Sequence, residues 1–236
     1  MALSIGRTPL HESSRRLGHG SIESVIDIRT GYLRAPIYTR ADVLASPCPV
    51  PTSRGVYGWW FDKPPSDSID TTNCQKRDGL TLLYTGISPS KPPTNGKAPS
   101  KENIRKRIKY HYQGNAAGST LRLTLGCLLG REHGIALRRV GASGSRLHFH
   151  SDEALIDRWM DQHAFVSWVE HTEPWELEDH LIDTLDLPLN LQGNKHNHFY
   201  GTLAKCRADA RRHAFLAPVL NNPGKRAKLG QFGPEL

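Results

Sequence analysis

The sequence predicts an α+β domain, a small and mostly antiparallel sheet flanked by helices, carrying an N-terminal extension. Three observations predict it. The runs "GVYGWWF" (55–61) and "LTLLYTGI" (80–87) are short, apolar and rich in Val, Tyr and Trp, as strands are. A third run, "FVSWVEH" (165–171), has the same β-branched and aromatic character. Elsewhere, capping residues precede apolar residues recurring at helical spacing.

The elements follow in order. Residues 1–20 hold Arg, Ser, His and Gly with little apolar periodicity, and read as a partly mobile segment. Residues 21–50 alternate apolar and polar groups and end in "SPCPVP", whose prolines lack donors and stiffen a linker. "DKPPSDSIDTTNCQKRDG" (62–79) and "SPSKPPTNGKAPS" (88–100) are loops by composition. An antiparallel hairpin with a long connection therefore accounts for 55–87. Ser100 is placed to cap a helix running to about Tyr112, and Ser119 to cap another through "TLRLTLGCLLG". "GASGS" (141–145) is a turn, and "RLHFH" (146–150) a short strand. Ser151 opens the amphipathic stretch "DEALIDRWMDQHA". Thr172 precedes "EPWELEDHLIDTLD", with Pro174 near the first helical position, where its missing N–H costs little. "LPLN" (187–190) ends that helix. A last helix runs from about Gly201 to Phe215, and a basic tail follows. No internal repeat is present.

Composition narrows the function. Lys and Arg number 31 against 23 Asp and Glu, a net charge of +8 with neutral His. That excess suits a polyanionic partner such as nucleic acid, although a basic solvated surface has the same signature. Cys48, Cys74, Cys127 and Cys206 offer no CxxC clip, and read as thiols of a reducing cytoplasm. No run of about 18 apolar residues exists to span a membrane. The N-terminus lacks the apolar core of a signal peptide, so the expectation is a soluble cytoplasmic protein of prokaryotic type.

Two helices carry candidate chemistry. In "SKENIRKRIKYHY", Ile104, Ile108 and Tyr112 share an arc, Arg107 and His111 lie one turn apart at its edge, and Lys106 and Lys109 face away. Taken alone, Arg107 can simply lay its stem over the core, and His111 can be a satisfied core histidine. In 173–185, Leu177, Leu181, Leu185, Ile182 and Trp175 form one apolar arc, and Glu178 falls in its middle. A carboxylate centred on an apolar face is costly unless paired or metal-bound. It is either half of a buried ion pair or an acid, base or metal ligand in a cleft.

Other motifs carry less. "HNH" (196–198) is contiguous, and two histidines two apart on an irregular segment more often sit at a surface. Zinc is not expected. No P-loop, dinucleotide glycine pattern or Gly-x-Ser-x-Gly elbow is present.

Together these residues resemble the GIY-YIG nuclease superfamily. Gly55-Val56-Tyr57 is similar to the first half of its signature, and Tyr84-Thr85-Gly86 to the second. Arg107 and His111 match its Arg followed four residues later by His or Tyr. Glu178 matches its single helical Glu, and Asn190 the Asn that follows. The likeness covers 55–190, leaving 1–50 as an extension, 51–200 as the domain, and 201–236 as a C-terminal helix and tail. Tyr57 and Tyr84 stand 27 residues apart, farther than in the compact family core, so 62–79 reads as an insertion. Residues from about 114 to 164 read as a second one. The long connection between the tyrosines resembles that of the family's restriction enzymes, and insertions are where target recognition would be built.

The resemblance implies a divalent-metal-dependent endonuclease that hydrolyses phosphodiester bonds in DNA, with a restriction or defence role compatible. Glu178 would hold Mg²⁺, with Mn²⁺ as a substitute, because hard cations take carboxylate oxygen and keep several waters. Arg107 would hold a phosphate oxygen, and Tyr57 would act as general base or orient the attacking water. Tyr84 and His111 would complete the proton network, and Asn190 would hold the geometry. A Tyr57 phenolate at pH 7 needs a shift of about three pKa units, roughly 4 kcal/mol, from its ordinary value near 10. His111 is the alternative acceptor. One site per chain implies a homodimer or sequential nicking. The competing readings are an inactive nucleic-acid-binding module of the same fold and an RNA-directed nuclease.

Overall fold

Every residue of β1 (Gly55–Phe61) is buried, the mark of a central strand. It pairs antiparallel with β3 (Leu80–Ser88) on one side and with β6 (Ala164–Glu170) on the other. A two-residue strand, β2 (Lys76–Arg77), pairs with the start of β3, giving the order β2-β3-β1-β6. The computed structural model describes residues 28–223. The expected mobile segment 1–20 and the basic tail from residue 224 lie outside the described residues.

Side chains alternate across β1 and build two cores. Tyr57, Trp59 and Phe61 face one, with side chains from α3 (Ile104–Gln113), α4 (Thr120–His133), α5 (Glu153–His163) and α7 (Tyr200–Leu216). Val56 and Trp60 face the other, with the helical residues 28–34 (α1) and α6 (Pro174–Thr184). Tyr32 of α1 is fully buried there, which at about 1.5–3 kcal/mol for a large apolar side chain anchors the segment before the sheet. That segment continues through α2 (Arg40–Leu44), and Tyr38 exchanges two backbone hydrogen bonds with Val166 at the outer edge of β6.

Local signals act as expected, with one displacement. Ser119 caps α4 by accepting from the Arg122 N–H, and Gly134 in the left-handed conformation ends it. Pro174 occupies the first turn of α6. The helix expected behind Ser100 starts instead at Ile104, capped by Asn103, whose Oδ1 accepts from the Lys106 N–H at 3.0 Å. Ser100 spends its hydroxyl oxygen on the Glu102 N–H, in a local turn that competes with capping. The helix foreseen from Ser151 begins at Glu153, after a 3₁₀ turn over His150–Asp152. Within the second expected insertion, β4 (Arg138–Val140) and β5 (Arg146–His148) form a hairpin whose turn places Gly141 and Gly144 at positive φ.

Candidate active site

A bulge brings the two tyrosines onto one face. Trp59 pairs with Tyr84 and Trp60 with Leu82, so Leu83 is an extra residue in β3. Leu82 joins the core beneath α6, and Tyr84, two residues on, joins the opposite one. A regular strand would keep both on one side; the inserted residue turns Tyr84 to the face of Tyr57. Gly86 lies opposite Tyr57. A Cβ there would stand 2.7 Å from the Tyr57 hydroxyl, so only glycine leaves that ring its place.

From Tyr57 a buried hydrogen-bonded network runs inward. The Tyr57 hydroxyl meets His111 Nε2 at 2.9 Å, and His111 Nδ1 meets Ser119 Oγ at 2.7 Å. Tyr57 and His111 are both buried. Arg122, fully buried on α4, braces the end of α3 by donating from Nη1 to the His111 carbonyl at 3.1 Å and the Tyr112 carbonyl at 3.3 Å. Its Nε and Nη2 bond Glu153 Oε2 at 2.9 and 2.6 Å, and Nη1 pairs with Asp157 at 2.7 Å. Glu153 Oε1 accepts from the Ala116 and Phe149 N–H groups. Arg122 therefore ties α3, α4 and α5 together around His111.

An open cleft lies beside this network, at the edge of β3 beyond the short β2. Asn190 closes the strand's free edge as a partner strand would. Its Oδ1 accepts from the Thr85 N–H, and its Nδ2 donates to the Thr85 carbonyl, both at 2.9 Å. The cleft, about 240 Å³, is lined by Tyr84, Glu178, Asn190, Thr120, Thr124 and Arg207 among others. Tyr84 and Thr120 share a hydrogen bond of 3.2 Å. Arg107 donates to the Gly118 carbonyl at 2.7 Å, leaving the rest of its guanidinium to act on both tyrosines.

Burial dominates the proton equilibria. It pushes the Tyr57 phenol well above its ordinary value, and Tyr84 adds to that; the Arg107 guanidinium offsets only part. Tyr84 is raised too, again mainly by burial. A free Tyr57 phenolate at pH 7 is therefore disfavoured. His111 is held well below 6.5 by burial, with Arg107 and Arg122 adding to it, so the imidazole is neutral and has a nitrogen free to accept a hydrogen bond. Burial pushes the Glu178 carboxyl up to about 7, helped by Asp179. Glu178 makes no ion pair among the described residues. A half-buried carboxylate without a cation, facing a polar cleft, fits a hard divalent ion held by one protein ligand and waters. No group of three or more His, Cys, Asp and Glu side chains suited to a metal occurs among the described residues.

The six residues singled out in the sequence thus fall into two connected layers. Tyr84, Glu178 and Asn190 line the cleft; Tyr57, His111 and Arg107 form the layer behind it. His196 and His198 are exposed, while Asn197 between them donates to Asp186. Sequence reasoning missed Arg122, Thr124 and Arg207. It gave Ser119 a capping role alone, and that role was the available signal: an N-cap at the end of a loop necessarily brings its hydroxyl to a helix start.

A family model described as the GIY-YIG catalytic domain matches residues 55–209. No curated protein and no solved structure gives a significant match. The matched span runs from the first residue of β1 into α7, and so takes in Arg207. No helix among the described residues is long and apolar enough to cross a membrane.

Proposed function

The chain belongs to the GIY-YIG nuclease family, whose substrate is nucleic acid, and from that premise we propose that it is a divalent-metal-dependent endonuclease that hydrolyses phosphodiester bonds in DNA. The observation that carries this reading is the unpaired, half-buried Glu178 carboxylate in a cleft shared with Tyr84 and Asn190. Glu178 is the residue that would hold the cation. When bound, such an ion neutralises charge growing on the phosphorus oxygens and eases departure of the leaving oxygen.

The remaining steps belong to side chains. Tyr57 acts as a relay rather than as a phenolate. With the Nδ1–H of His111 directed at Ser119, Nε2 accepts from the Tyr57 hydroxyl. The Tyr57 oxygen takes a proton from the attacking water as its own proton passes to Nε2. No step then requires an ionised tyrosine; the cost moves to His111, whose protonated form burial and the Arg107 and Arg122 charges disfavour, so the imidazolium is a transient of the step and not a resting state. Arg107, anchored through Gly118, offers its other N–H groups to a phosphate oxygen. Tyr84, turned towards the cleft by the bulge, donates to a second one. Asn190 has both ends of its amide engaged by Thr85 and acts on the site's shape alone.

The test is plasmid cleavage with Mg²⁺ or Mn²⁺, comparing the wild-type chain with Glu178→Ala, and with RNA of matched length alongside. Nicked or linear DNA from the wild type, and none from the folded variant, is the expected result. Undiminished cleavage by Glu178→Ala would remove Glu178 from the site. Cleavage of RNA alone would move the substrate to RNA, and binding without cleavage under every ion would leave a binding module. Discrete fragments from a long DNA would support a restriction or defence role, and concerted double-strand cuts would support a homodimer.

A further inference from the structure

We propose that Arg207 and Thr124 form a second phosphate-binding subsite in the cleft, taking a nucleic-acid backbone phosphate next to the one being cleaved. The proposal rests on the nuclease reading above and adds residues to it that lie on α4 and α7. Three observations carry it. Arg207, half-buried on α7, lines the same cleft as Tyr84 and Glu178. Its Nε is buried without a hydrogen-bond partner, and it forms no ion pair among the described residues. Thr124, one turn along α4 from Thr120, is 1% exposed, and its hydroxyl too is buried without a partner while lining the cleft.

An uncompensated guanidinium drawn out of water is costly. Here the cost is visible: burial lowers the Arg207 pKa, and Arg211, one turn away, lowers it further. Glu178 and Asp179 line the same cleft, yet neither is within ion-pair distance of Arg207. The cleft therefore holds a carboxylate suited to a cation and, beyond ion-pair distance of it, a guanidinium suited to an anion. A phosphate group matches the guanidinium: Arg presents parallel N–H donors to its oxygens, and the Thr124 hydroxyl lining the same cleft offers a further donor. Phosphates recur along a nucleic acid backbone, so one strand can satisfy both groups at once. Arg107 approaches from α3, through Gly118, and serves the reacting phosphate.

Binding of a fluorescent DNA duplex, measured by anisotropy over a range of KCl in EDTA so that nothing is cut, tests this. Replacing Arg207 by Gln removes one phosphate contact, so affinity should fall about tenfold and the salt slope, about −0.9 per neutralised phosphate, should flatten by about one contact. Arg207→Lys should recover part of both, as a point charge without the fork. Thr124→Val should cost about fivefold and leave the slope unchanged, as the loss of a neutral donor does. Melting temperatures of the variants check that folding is intact. An unchanged affinity and slope for Arg207→Gln overturns the subsite and leaves the nuclease reading standing. A wild-type chain that binds no nucleic acid overturns both. Wild-type binding without any cleavage under divalent ions overturns the catalytic reading alone.

Discussion

Arg122 and Arg207 stand on neighbouring helices, α4 and α7, and both guanidiniums are drawn out of water, yet their surroundings are opposite. Arg122 is fully buried and donates to the Glu153 carboxylate and to three backbone carbonyls, those of His111, Tyr112 and Glu153, beside its ion pair with Asp157, so its surroundings account for its donors. Arg207 is only half-buried, yet its Nε has no partner and no carboxylate lies within ion-pair distance among the described residues. The difference separates two uses of buried charge. A charge matched by the protein fixes how helices meet. A charge left unmatched beside open space is kept for a ligand. The same division runs through the carboxylates, with Glu153 on the matched side and Glu178 on the open one.

The largest effect should come from the matched side. Glu153→Ala leaves Arg122 buried without its main counter-ion and frees the Ala116 and Phe149 N–H groups, so it should cost about 3–5 kcal/mol of stability in urea denaturation. Arg207→Ala should change stability by less than about 1 kcal/mol in the same measurement, because no hydrogen bond or ion pair of the described residues is lost and relief of the guanidinium's burial offsets the lost packing of its stem. Equal losses for the two would break the comparison.

Next in size is the proposed relay of Tyr57 and His111, which lies on the matched side. Tyr57→Phe should lower single-turnover cleavage about 10²–10⁴-fold, the range for a positioned proton-transfer group. Adding His111→Gln should cost little more, because residues acting as one unit are non-additive. A double variant whose losses multiply would separate Tyr57 from His111.

Asn190 sharpens the division, since it lines the cleft yet has both amide ends engaged by Thr85. Asn190→Ala should cost about 1–3 kcal/mol by leaving a strand-edge donor and acceptor unpaired. The Thr85 amide should then exchange with solvent faster. Unaltered exchange would mean that the edge is closed by something else.

What the sequence made legible divides along similar lines. The strands β1, β3 and β6 were readable because their aromatic and β-branched runs fill both faces of a buried sheet. Glu178 was readable because a charge interrupts an apolar arc whose neighbours Leu177 and Leu181 are buried. The bulge at Leu83 was not: it depends on how Trp59 and Trp60 pair with Tyr84 and Leu82 across the long connection, and an alternation pattern alone assigns Leu82 and Tyr84 to one face. Arg122 was not either. At helical spacing it shares its face with the apolar Leu125 and Leu129, both buried, and only the arrival of α5 with Glu153 and Asp157 makes burial of its charge tolerable. Arg207 shares its helix with Lys205, Arg211 and Arg212, and nothing local distinguishes the one that turns to a cleft from those facing water.

The smallest effect tests the open side most directly. In the unfolded chain the Glu178 carboxyl titrates near 4.5, and in the fold it stays protonated up to about 7. Between those values the folded state binds more protons, so in EDTA this residue makes stability fall as pH rises from about 4.5 to about 7, and the fall levels off above that. Glu178→Gln keeps the shape without the charge. In EDTA at pH 8 it should therefore be more stable than wild type by about 1–2 kcal/mol, the shift being discounted for the residue's partial exposure. Below about pH 4 the two chains should melt together. Mg²⁺ should raise the melting temperature of the wild type increasingly as pH climbs through about 7, because the ion competes with the proton for the same oxygens, and should leave Glu178→Gln unmoved. A variant no more stable than wild type at pH 8, or stabilised as much by Mg²⁺, would show that the Glu178 charge is already matched within the protein and would return it to the class of Glu153.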